Sequence, residues 1–266
     1  MPTSSQEQQP HTHREIAESY GSDAERYDRT RPRYPDALLD RIVAESPGRD
    51  VLDVGAGTGI AGLAFRARGC RVLGVEPDTR MAAFARGRGL DVEVAKFEDW
   101  DPAGRTFDAV VAGTVWHWVD PVAGADRAAR VLRPGGRLAV FWNAFQPSPE
   151  VAEAFSEVYA RVLPGVPMDW RRLTGPDAYA GVCAPAADGI REAGAFDEPE
   201  EWRFDWERLY RRDEWLDQVP TFGGHHRLPA QELDTLLTGL GDAVDAMGGS
   251  FTMRYTAVAL TAVHSG

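Results

Sequence analysis

A doubly wound α/β sheet is the fold predicted for residues 51–143, and three observations predict it. Apolar strand-like runs alternate with segments of helical spacing. The first run, "DVLDVG", ends in the glycine turn "GAGTG". An acid, Glu76, closes the next run, "RVLGVE", 21 residues after Gly55.

The elements follow in order. Residues 1–13 are polar and aperiodic, which predicts a disordered tail ahead of one domain over 14–266. "REIAESYGSDAERYD", residues 14–28, has the spacing of a short amphipathic helix broken at Gly21. "RPRYP" is extended, since each proline disfavours helix in the residue before it. "DALLDRIVAES" is helical with Asp36 as its cap. "IAGLAFRARG" is a helix stopped at Gly69. "DTRMAAFARGRG" is the next helix and "DVEVAK" the third strand. "FDAVVAG" is continuously apolar, as a strand buried on both faces should be. "VAGADRAARVL" is a helix halted by "RPGG", and "RLAVFWN" is the fifth strand. Residues 144–187 mix aromatics with Pro147, Pro149, Pro164, Pro167, Pro176 and Pro185. That predicts an irregular or helical cap inserted after strand 5, closing with residues 14–35 as a lid. Further on, "IREAGAF", "RDEWLDQV" and "PAQELDTLLTGLGDAVDAM" are helical. "EEWRFDWERL" and "SFTMRYTAVALTAV" alternate with period 2, as strands do.

Composition narrows the partner classes. The 266 residues, 43% hydrophobic and 26% charged, suit one elaborated α/β domain. Lys plus Arg number 29 and Asp plus Glu 41, a net charge of -12. That argues against nucleic acid or an anionic membrane as partner. Cys70 and Cys183 make neither a disulfide framework nor a metal cluster, and no metal is expected. There is no secretory h-region and no bilayer-spanning run, so the expected setting is the cytoplasm, as a monomer or homodimer.

The glycine turn and the spaced acid point to a ribose nucleotide. Gly55, Gly57 and Gly59 permit tight turning and let a ligand approach backbone. Glu76 can accept ribose hydroxyls. A dinucleotide enzyme normally shows G-x-G-x-x-G, but Ile60 holds the last position here. Asp53 stands just before the turn. A carboxylate there repels a pyrophosphate and favours a sulfonium or ammonium. Charge therefore prefers S-adenosylmethionine to NAD.

"VLDVGAGTG", "VLGVEPD" and "LRPGGRLAV" resemble the ordered motifs of class I S-adenosylmethionine-dependent methyltransferases, over residues 15–143. More narrowly, "AERYDRTRPRYP", "WHWVDP" and "GGSFTMRYTAVALTA" are similar to the small-molecule group that includes trans-aconitate methyltransferase-like (methyltransferase type 11) enzymes. The resemblance implies a Rossmann-like seven-stranded sheet whose last strand is antiparallel. It implies S-adenosyl-L-methionine as cofactor and S-adenosyl-L-homocysteine as product. Gly55, Ala56 and Gly57 would line the methionine part, with Asp53 and Thr114 nearby, and Glu76 would hold the ribose. Pro77, Phe97 and Glu98 would lie at the adenine, Glu98 standing where the family often has Asp. Tyr20, Tyr27 and Arg33 would fold over the cofactor, the arginine pairing with its carboxylate.

Thr114 to Trp118 follow strand 4, at the end where ligands bind in such sheets. Trp116 and Trp118 read equally as acceptor-site walls or as core. His117 reads as a base or as an orienting group, with the orienting or structural role favoured over the base. Trp142 and Asn143 follow strand 5 and are candidate acceptor contacts. So are Trp170, Phe222 and His225 from the second half; His225 also reads as an exposed loop residue. The function expected is methyl transfer to a small molecule by in-line displacement. An NAD-dependent oxidoreductase and a cofactor-binding protein without transfer are the alternatives.

Overall fold

A computed structural model describes residues 20–165, 168–174 and 179–266; the expected tail at 1–13 and the start of the first helix at 14–19 lie outside these. The strands are β1 (Asp50–Val54), β2 (Arg71–Val75), β3 (Asp91–Glu93), β4 (Phe107–Gly113), β5 (Leu132–Gln146), β6 (Glu200–Arg211) and β7 (Ser250–Val263). They form one seven-stranded sheet in the order β3-β2-β1-β4-β5-β7-β6. The first five are mutually parallel, and β7 runs antiparallel to both β5 and β6. The seven strands and the reversed last strand are those anticipated.

Helices cover both faces. On one lie α2 (Asp36–Ala44) and α3 (Ile60–Ala67), whose Leu38, Leu39, Ile42 and Phe65 pack on Val51, Val111, Ala139 and Phe141. On the other lie α5 (Pro121–Val131) and α7 (Ala180–Ala193), packed on Leu52, Val110, Leu138 and Val140. The alternation along each strand sorts its side chains to the two layers. Helix α4 (Thr79–Gly87) follows β2 and is capped by Asp78, which accepts from the Arg80 N–H.

Two expectations need correction and a third is narrowed to one of its alternatives. The segment before α2 is a 3-10 turn, Tyr20–Asp23, followed by α1 (Ala24–Thr30), and Asp23 caps that helix. Asp36 is the first residue of α2, and the capping position is Pro35, which makes no side-chain cap. The insertion after strand 5, expected as irregular or helical, is helical over much of its described length: β5 continues to Gln146, and α6 (Pro149–Val162) starts from Ser148, whose side chain accepts from the Val151 N–H. Together with α8 (Arg212–Gln218) and α9 (Ala230–Ala246), α6 encloses an aromatic cluster of Phe155, Tyr159, Trp170, Tyr210, Trp215 and Phe222. This cluster stands beyond the carboxyl end of β5, beside the site. Cys70 and Cys183 are buried and free. No helix among the described residues is long and apolar enough to cross a membrane.

Candidate active site

The site begins where β1 ends. Gly55, Gly57 and Gly59 all take positive φ, at 62°, 54° and 87°. The Gly55 and Ala56 N–H groups donate to the Val75 carbonyl at 2.8 and 3.1 Å, which ties the turn to β2. Glu76, next in sequence, is buried and doubly held. Its Oε2 accepts from the Gly57 N–H at 2.8 Å and its Oε1 from the Asp78 N–H at 2.9 Å. A Cβ at Gly57 would meet only the Gly55 carbonyl, at 3.9 Å, so the turn's backbone is open to a ligand. A cleft opens here, walled by Gly55, Gly57, Glu76, Pro77, Phe97 and Glu98 as anticipated. Met81, Lys96, Val115 and Val119 also line it and were not anticipated.

Asp53 and Ala56 do not reach the cleft. The Ala56 side chain turns inward against Gly74, because its N–H is spent on β2. Asp53 is buried beneath the turn with Oδ2 facing Gly62. Burial pushes its carboxyl up to about 7.

The opposite wall follows β4. Thr114 sits at φ 56°, a left-handed conformation that strains a β-branched residue. It is held there by its N–H to the Phe141 carbonyl at 2.7 Å and by a 2.8 Å hydrogen bond with the Tyr34 hydroxyl. Gly113 leaves room for that hydroxyl: a Cβ there would stand 2.7 Å from it. Thr114 and Trp118 line the cleft, and so do Tyr20 and Tyr27 from the N-terminal segment.

The same four residues also line a second cavity of about 180 Å³. Its other walls include His117, Phe145, Trp170, Phe222 and Arg31. Phe145, Trp170 and Phe222 meet edge-on or tilted at 5.4–6.2 Å, so the cavity is an aromatic slot. Arg31 lies 4.8 Å over the Tyr27 ring and 5.5 Å over that of Phe222, and donates to the Thr221 carbonyl. His117 contacts Trp118, with ring centroids 4.8 Å apart. Its Nδ1 accepts from the Trp142 indole N–H at 3.2 Å, and burial pushes the imidazole down to about 4.

Five expected contacts lie elsewhere. Arg33 is held by Asp28, through the carboxylate at 3.2 Å and the carbonyl at 2.9 Å; Arg31 is the arginine that faces the site. Trp116 is core, packed 6.3 Å from Phe97. Trp142 is also core and meets the site only through His117. Asn143 spends its amide on structure, donating to the Arg33 carbonyl and accepting from the Trp206 indole, both at 3.2 Å. His225 is buried behind the slot, its Nε2 2.9 Å from the Tyr159 hydroxyl. Arg31, Phe145, Met168 and Leu173 were missed. Phe145 was legible in principle as the outward continuation of β5.

Residues 52–140 match the sequence profile described as Methyltransferase domain. These residues form a methyltransferase domain. An uncharacterized methyltransferase of Mycobacterium tuberculosis is 39% identical over 133 residues, 49% of this chain and 54% of that protein. A ubiquinone biosynthesis O-methyltransferase of Bradyrhizobium is 32% identical over 142 residues, again 49% and 54%. The chain thus spans about half the length of these curated relatives. A solved type II methyltransferase structure from Anaeromyxobacter dehalogenans superposes with a TM-score of 0.61 at 25% identity, over 87% of this chain and 97% of that one. Both clefts open at the carboxyl end of the methyltransferase domain's parallel strands, the place where open α/β sheets bind ligands.

Proposed function

We propose that the chain is an S-adenosylmethionine-dependent methyltransferase for a small-molecule acceptor. One observation carries the reading: the cleft at the glycine turn and Glu76 and an aromatic slot meet at a shared wall of Tyr20, Tyr27, Thr114 and Trp118. A fold hosts many chemistries, so the site has to make the argument. The residues present suit the donor. Glu76, fixed at the end of β2, would accept the ribose hydroxyls, and Pro77, Met81, Phe97 and Val119 form an apolar slot for a purine. The Glu76 carboxylate in the cleft wall favours a cationic ligand over a pyrophosphate. A relative named for ubiquinone biosynthesis supports a small acceptor.

S-adenosylmethionine would supply an electrophilic methyl carbon. The chain's own part is alignment and exclusion of water. Thr114 and Trp118 set the distance between the two cavities. Tyr20 and Tyr27 line both, and Phe145, Met168, Trp170 and Leu173 wall the acceptor side. Calorimetry with S-adenosylhomocysteine and with NAD, followed by labelled-methyl transfer to an acceptor panel, tests the reading. Binding of NAD without S-adenosylhomocysteine sinks it. Glu76→Ala should weaken S-adenosylhomocysteine by about 1.5–3 kcal/mol, roughly 10- to 150-fold, through lost charge-assisted hydrogen bonds.

A further inference from the structure

We infer that His117 is a fixed hydrogen-bond donor, locked in one tautomer by Trp142, and that the acceptor enters the slot with its methyl-accepting oxygen already ionised. The inference rests on the function proposed above. An indole N–H only donates. The Nδ1 that receives it at 3.2 Å must therefore present a lone pair, and the neutral ring carries its proton on Nε2. Trp142 has little freedom to turn away. It is 1% exposed and sits opposite Val258 in the β5–β7 ladder. The ring lines the slot, so Nε2–H is the polar group it offers there.

Burial keeps this imidazole neutral, with its pKa near 4. Taking a proton at Nδ1 would break the Trp142 bond and bury a charge. Among the described residues, the other groups lining the slot provide no base. From the N-terminal segment come Tyr20, a phenol pushed up to about 12 by burial, with Tyr27 and the Arg31 cation. Outside this lining, Tyr179, just before α7, is also a phenol pushed up to about 12 by burial. β5 contributes Phe145; Met168, Trp170, Leu173, Phe222 and Gly223 bring no titratable group. Among the described residues no carboxylate lines this cavity, and none pairs with Arg31. Among the described residues its titratable groups are thus two phenols, Tyr20 and Tyr27, a guanidinium and a neutral imidazole.

Such a slot suits an anionic oxygen on a flat scaffold: a conjugated carboxylic acid or an acidic phenol or enol. An alcohol or an ammonium would first need a base. With an ionised oxygen the step balances without proton transfer. A lone pair on oxygen forms the O–C bond while the C–S bond breaks. Sulfur keeps that electron pair, and the sulfonium becomes a neutral thioether. The His117 Nε2–H holds the oxygen in line.

Two substitutions in the full chain separate donor from base. In His117→Gln the amide nitrogen falls near Nε2 and still donates; His117→Leu does not. The Gln variant should keep kcat/KM within about tenfold and the Leu variant should lose about 100-fold or more, with S-adenosylhomocysteine affinity unchanged in both. Flat acids and acidic phenols should outrun aliphatic alcohols and amines, with carboxylates and phenols assayed separately. A Gln variant as inactive as Leu, with wild-type kcat falling below an apparent pKa of about 6–7, overturns the inference. So does a preference for alcohols or amines. Nitrogen-15 NMR of the His117 ring decides the tautomer independently of any acceptor. Protonation at Nε2 alone, down to about pH 5, is expected. An Nδ1–H tautomer, or titration above about pH 6, overturns the inference. Failure to bind S-adenosylhomocysteine or to transfer any methyl refutes the proposed function instead, and the ring NMR still decides the tautomer.

Discussion

At Gly55 the turn leaves no space for a side chain: a Cβ would stand 2.2 Å from Val115 Cγ2, and φ is 62°. Gly55→Ala therefore meets a clash and a left-handed backbone together. A loss of about 1–3 kcal/mol is expected in urea unfolding, with a larger loss of S-adenosylhomocysteine affinity by calorimetry. Asp53 predicts a pH effect. Its carboxyl titrates near 3.8 when unfolded and near 7 when folded, so the folded state binds the extra proton between those values. Stability due to this group falls as pH rises across that window and then stays level. Asp53→Asn should be more stable than wild type at pH 8, by up to about 4 kcal/mol, and the gain should vanish toward pH 4. A variant no more stable at pH 8 rejects this. Residue roles were the least legible part of the site. Trp116, His117 and Trp118 share one 3-10 turn, in which neighbouring side chains point about a third of a turn apart. One therefore enters the core, one bridges to Trp142 and the slot, and one faces both cavities. Position after β4 placed the turn at the site, but only the backbone conformation distributes the three. Arg31 and Arg33 were confused for a similar reason: Asp28, reached through the fold of α1 and the chain after it, claims the second.

Elements were easier to read than residues because periodicity and caps are local. The β1, β2 and β4 runs, the helix stop at Gly194 and the period-2 β7 follow from patterns within a few residues. The least determined stretch was 144–187, where prolines left irregular and helical readings both open. Ser148 and Pro149 start α6, since a proline in the first turn has no helical N–H to lose. Pro185 lies inside α7, a placement that tertiary packing must support. The length of β5 mattered most: its continuation to Gln146 puts Phe145, and not Trp142 or Asn143, in the wall of the aromatic slot. The aromatic cluster behind that wall is a testable element. Trp215 is fully buried, stacks on Phe155 at 5.4 Å and meets Trp170 and Phe222 edge-on at 5.6 Å. Trp215→Ala should cost about 3–5 kcal/mol in urea unfolding. It should also raise the acceptor KM while S-adenosylhomocysteine affinity holds, because the cofactor cleft draws nothing from this cluster. Equal losses at both ligands refute that separation.

For the whole molecule, the sheet order carries the functional geometry. β1 and β4 are neighbours, so the glycine turn and Thr114 end side by side. β7 between β5 and β6 extends the sheet into the acceptor side. Strand alternation with helices was enough to anticipate the first relation, and the aromatic slot needed contacts between residues 20–31, 114–118, 145, 168–173 and 222–223 that no local pattern encodes. The wall of Tyr20, Tyr27, Thr114 and Trp118 has one more consequence. Because each cavity is partly made of the other's boundary, ordering the wall for one ligand prepares it for the second. The two binding free energies are then linked, and linkage is reciprocal. S-adenosylhomocysteine should tighten a flat carboxylate by some factor, and that carboxylate should tighten S-adenosylhomocysteine by the same factor. Titrations run in both orders would reveal it, and two independent affinities would mean that the wall stands rigid without either guest.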